Sequence, residues 1–171
     1  AGPVNSYITT NKSLTSTSSI SGDGTDISTP SDTTRAFTED QLKTVLQSCW
    51  TQGGKPDMIF TGAFNKQQFS TFTGRASVTE EAASRKIVNN VTAYESDFGT
   101  LKVVADRFQA GRDVFVFQMD MWAIAYLKGR RMVSENLAQT GDSKWKHIIS
   151  EYTLVARNEK SSGRIGDLTT S

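Results

Sequence analysis

From Thr38 onward, apolar residues return at the spacing of a helix. Leu42, Val45, Leu46 and Cys49 form one apolar stripe on an otherwise polar segment. Thr38 and Gln41 match a capping box, and Glu39 and Asp40 put negative charge in the first turn, where the helix dipole favours it. Gly53-Gly54 supplies a stop and Pro56 prevents a restart. These features predict a helix over residues 38–51. A short apolar run then predicts a buried strand from Met58 to Thr61. "NKQQFSTF" predicts a brief second helix, capped at Asn65 and packed through Phe69 and Phe72. "TEEAASRK" (79–86) reads equally as helix or as the start of the next strand.

After Lys86 the period changes from helical to strand-like. Ile87–Glu95 and Thr100–Ala105 predict two strands around a Ser96-Asp97-Phe98-Gly99 turn. Ser96 and Asp97 favour turn initiation through side-chain hydrogen bonds to the backbone, and Gly99 admits the positive φ of a bulged hairpin. Val114–Phe117, Trp122–Leu127 and, more weakly, Arg131–Asn136 follow as strand candidates. The run "KWKHIISEYTLVARNE" is apolar on both faces, which predicts one long strand in the interior of a sheet. At ~3.3 Å per residue it would span about 45 Å, long enough to tie two subdomains together.

Composition adds a contrast at the other end. Residues 11–34 are dominated by Ser, Thr, Gly and Asp, with too few large apolar groups to build a core. Residues 1–35 are therefore expected to be a polar surface loop or arm, and residues 36–171 an α+β body with a β-rich C-terminal half. The chain begins at Ala1, in polar sequence, and is read as a processed or excised piece of something longer. Its 171 residues suffice for a real core, and 19 Lys and Arg against 18 Asp and Glu leave a net charge of +1. Such balance gives no reason to expect non-specific nucleic-acid binding. No apolar run approaches a membrane span. The one cysteine, Cys49, sits on the apolar helix face and reads as a buried structural thiol made in a reducing cytoplasm.

Catalytic constellations are not legible. Asp97-Phe98-Gly99 spells the magnesium-binding tripeptide of protein kinases. The Gly-rich loop and His-Arg-Asp loop that such a kinase needs do not occur, so the tripeptide reads as a turn. His147, the only histidine, lies in an apolar strand and reads as a satisfied sheet residue. Glu39-Asp40 and Glu80-Glu81 are explained by the helix dipole and a solvated face. One cysteine and one histidine cannot assemble a zinc site, and no cofactor is expected. The basic cluster Lys128, Arg130 and Arg131 reads first as a solvated turn, then as a charge contact between subunits, and last as a nucleic-acid contact.

The set "GGKPDMIF", "YESDFGTLKVVADRF", "AIAYL" and "LAQTGDSKWKHIISEYTLVARNEKSSGRIGDLTT" resembles the major capsid proteins of tailed bacteriophages. The resemblance covers residues 36–170 in order and spacing. It implies a Hong Kong 97-type capsid fold, present here as its C-terminal half: most of the axial domain plus the returning strands of the peripheral domain. No helix long enough to be the family's spine helix is visible in the sequence. The resemblance further implies a homo-oligomer of hexamers and pentamers that encloses DNA without reading its sequence, with other head proteins as further partners. It implies a place in the virion, after assembly in the host bacterial cytoplasm, and neither a membrane nor a chemical step.

A catalytically empty chain with balanced charge and long strands suits a protein whose activity is association. Rings of subunits need two different complementary faces on each copy. Lys128, Arg130, Arg131 and Trp145 are the contact candidates; Trp50 and Trp122 join them, although core burial is the simpler expectation for each tryptophan. The alternatives are an encapsulin-like nanocompartment shell, a monomeric β-rich binding module, and a hydrolase working through Glu151 or His147.

Overall fold

The computed structural model describes residues 4–15, 33–72, 92–138 and 141–170. The predicted helix forms as α1, Glu39–Thr51. Its start is fixed by the backbone N–H of Thr38, which donates to Gln41 Oε1 at 3.4 Å. Its end is fixed by Gly53, at φ +83°, and by the Gly54 N–H donating to the Cys49 carbonyl. Strand β2, Met58–Thr61, falls where expected. Helix α2 spans Ala63–Phe69 with Gly62, not Asn65, at its N-cap. Asn65 is instead buried within the helix, its amide donating to the Gly111 carbonyl at 2.7 Å. That long-range bond holds the side chain by its Nδ2, while Gly62 has the extended backbone of the cap.

Among the described residues the body is a six-stranded mixed sheet. To β2 it adds β1 (Lys12–Ser13), β3 (Ala93–Ser96), β4 (Gly99–Ala105), β5 (Val114–Phe117) and β10 (Gly163–Ile165). The strand order is β1-β10-β5-β2-β4-β3, with parallel pairing at β1/β10 and β2/β4. Period-2 alternation decides what each face carries. Ile59 pairs with Val103 and Val116, and these side chains meet Leu42, Val45, Leu46 and Cys49 of α1 to form the core. Phe69 closes one end of it beside Phe37 and Phe72. A Cβ on Gly163 would collide with a Val45 methyl, so glycine is what lets α1 press onto β10. Burial pushes the Cys49 thiol up to about 12 and keeps it neutral, as a structural thiol should be.

On either side of residues 16–32, which lie outside the described residues, the segment expected as a loop or arm is fastened to this sheet. The Thr9 and Thr10 N–H groups donate to the Glu159 carboxylate at 3.1 and 3.3 Å. Asn11 is buried and donates to the carbonyls of Lys160 and Ser162, while accepting from Ser48. The 79–86 expectation and residues 87–91 of the predicted Ile87–Glu95 strand also lie outside the described residues.

The remaining strands leave the sheet as a hairpin arm. β6 (Trp122–Tyr126) pairs with β9 (Tyr152–Ala156), and β7 (Val133–Asn136) with β8 (Lys146–Ile149). The long interior strand expected from the C-terminal run is thus corrected in two ways. It breaks at Ser150-Glu151 into β8 and β9, and each half has one neighbour rather than two among the described residues. The break has a local cause. Tyr126 faces Tyr152 and Val133 faces Ile149, so the loop Leu127–Met132 has only Ser150 and Glu151 opposite it. Glu151 bridges the two ends of that mismatch: its N–H donates to the Arg130 carbonyl, and its own carbonyl accepts from Leu127.

Candidate assembly surfaces

Ser96 pairs directly with Gly99, so the hairpin has a two-residue loop, Asp97-Phe98, without the expected bulge. Ser96 does the work through its hydroxyl, which accepts from the Phe98 N–H at 3.3 Å and donates to the Gly99 carbonyl at 2.8 Å. Gly99 sits at φ +135°. Phe98 stacks on Trp50 of α1, with ring centroids 5.6 Å apart. On the same side the Tyr94 hydroxyl donates to Glu39 Oε1 at 3.2 Å, and Lys43 pairs with Glu39 at 3.0 Å. Burial, with the Glu39 carboxylate beside it, pushes the Tyr94 phenol up to about 12. The turn therefore clamps the β3–β4 hairpin onto α1.

A Cβ at Gly99 would meet open space, so the backbone alone demands glycine there. Gly99→Ala is expected to lose about 1–3 kcal/mol of stability, and Gly99→Val at least as much, because a β-branched side chain tolerates positive φ worst. Urea unfolding of the two variants measures this, and an alanine variant as stable as the parent would contradict the backbone requirement.

The other candidates all lie on the arm. Lys128, Arg130 and Arg131 occupy the loop opposite Ser150-Glu151, where Gly129 (φ +79°) and Met132 (φ +52°) turn the chain. All three side chains are exposed. Arg130 pairs with Glu151 at 2.8 Å, and the Arg131 guanidinium lies over the Tyr126 ring, 4.8 Å from its centroid. Trp145 stands further out, 61% exposed, its indole N–H donating to Ser143 Oγ at 2.8 Å. Core burial, the simpler expectation for the tryptophans, does not hold for Trp50 and Trp145, which are exposed. Trp122 is half-buried at the root of the arm, donating to Ser162 Oγ and packed edge-on against Phe117.

Sequence reasoning missed the apolar residues that surround these positions. Ile124, Tyr126, Leu127, Met132, Leu137, Ile148 and Tyr152 are all exposed on the arm. Outside the arm, among the described residues, only Trp50, Phe108 and Met119 are large, apolar and exposed. One face of the ribbon pairs Trp122 with Ala156, Ile124 with Leu154 and Tyr126 with Tyr152. It runs into an open groove of about 450 Å³ on the sheet face away from α1, lined by Phe60, Phe115, Phe117, Trp122 and Leu154. The signal was present as a strand apolar on both faces. That pattern predicts a sheet interior with both faces covered, whereas here Ile148 and Tyr152 on one face and Trp145 on the other are exposed.

The residues named for hydrolase chemistry are separately engaged. His147 Nε2 lies 3.6 Å from Glu135, and Glu151 belongs to Arg130. Among the described residues no group of three or more His, Cys, Asp or Glu is placed to hold a metal ion. Nor, among them, is any helix long and apolar enough to cross a membrane.

The model of the SU10 major capsid protein family matches residues 2–169, nearly the whole chain. This chain belongs to the SU10 major capsid protein family. It is accordingly a structural protein of a bacteriophage virion, and the resemblance read from its motifs holds at that level. Among the described residues the mixed architecture, two α-helices and many strands, fits a capsid protein of this family. Among solved structures the chain is similar to the virus-like particle from Pyrococcus furiosus, at 10% identity and a TM-score of 0.39. That match covers 78% of this chain and 54% of the other, so the chain spans about half the length of that relative. No curated protein matches the chain.

Proposed function

We propose that the chain is a shell-forming part of a tailed-phage head, with a Hong Kong 97-type fold represented by axial-domain and returning peripheral strands. Copies associate into hexamers and pentamers that enclose DNA without sequence-specific contacts. They do so with other head proteins, in the cytoplasm of the bacterial host. The observation that carries this reading is the arm. A two-stranded ribbon is marginally stable by itself, and this one exposes a concentration of large apolar side chains beside three cations. A surface of that kind is built to be covered. Family membership makes further copies of the same protein the natural cover, and the arm supplies one of the two different faces that a ring of copies requires. Lys128, Arg130, Arg131 and Trp145 are the proposed intersubunit contacts, and Ser96 to Gly99 hold the body they project from.

The test separates association from folding. The double variant Arg130→Glu/Arg131→Glu, and separately Trp145→Ser, should unfold within about 1 kcal/mol of the parent, because all three residues are surface-exposed. Sedimentation velocity should show the parent in capsomer-sized species and the variants shifted to single copies. Variants that assemble like the parent would remove the arm from the interface.

A further inference from the structure

We draw no further inference here: the strongest candidate, the apolar groove at the root of the arm between Phe60, Phe115, Phe117, Trp122 and Leu154, carries none because nothing in the structure shows what covers it.

Discussion

Arg164→Leu is expected to cost about 3–5 kcal/mol of stability at neutral pH, the usual penalty for stranding a buried charge. Arg164 is 4% exposed and Asp113 6%. The Arg164 guanidinium donates to Asp113 Oδ1 at 2.9 and 3.2 Å, at the junction of β10 with β5. Burial already pushes the Asp113 carboxyl above its ordinary range, against the opposing pull of Arg164. Without the guanidinium that rise should be larger, and the sign of the pH dependence follows. A carboxyl whose folded pKa exceeds its unfolded value favours folding most below the unfolded value, and that favour disappears as pH climbs through the folded value. The variant should therefore recover towards the parent as pH falls. Urea midpoints across a pH series measure this. A companion variant, Asp113→Leu with Arg164→Met, replaces the pair by apolar volume and should lose much less than Arg164→Leu alone. Equal losses for the two would mean that packing, rather than the stranded charge, sets the cost.

Phe69→Ala is expected to cost a similar 3–5 kcal/mol, for a different reason. Phe69 is among the largest fully buried side chains and sits where α2 meets the sheet. Its ring is 5.1 Å from Phe72, 5.6 Å from Tyr94 and 6.3 Å from Phe37, centroid to centroid. Truncation removes the transfer free energy of the ring and leaves a cavity walled by rings held on separate elements, so collapse into it is limited. Phe69→Leu, which keeps most of the volume, should recover a large share of the loss. Thermal or urea unfolding of the pair decides the matter, and a loss below about 1 kcal/mol for alanine would contradict the core described above.

What the sequence made legible was local. Helix α1 carries its stripe, its cap and its stop within seventeen residues, 38–54, so nothing distant was needed to read it. Strands β2 and β5 are short continuous apolar runs, and both appeared at their predicted bounds. What escaped was set by distant partners. Asn11 looks like loop chemistry in sequence, and only the carbonyls of Lys160 and Ser162 make it a buried pin. Gly163-Arg164-Ile165 has no apolar run of its own to mark it, yet it is a strand between β1 and β5. Asn65 has the right chemistry for a helix cap, but Gly111 claims its amide.

The arm shows the same limit at the level of function. Apolar residues on both faces of a strand report that both faces will be covered, without naming what covers them. The pattern predicts a place inside a sheet, and the fold instead gives each strand of the arm one neighbour among the described residues and leaves large apolar side chains of the arm exposed. The contact candidates Lys128, Arg130, Arg131 and Trp145 were legible as residue types, and the fold brings all four onto the arm. Their apolar surroundings were not legible as surface, because a strand sequence does not state how many partners it will have.

The central claim is that this protein works by assembling into a shell. Electron microscopy of the native particle, with the mass of its subunits measured on the same preparation, tests that claim directly. The account predicts closed shells or capsomer rings that contain this polypeptide. Native material that stays strictly monomeric, with no rings or shells containing the polypeptide, would contradict it.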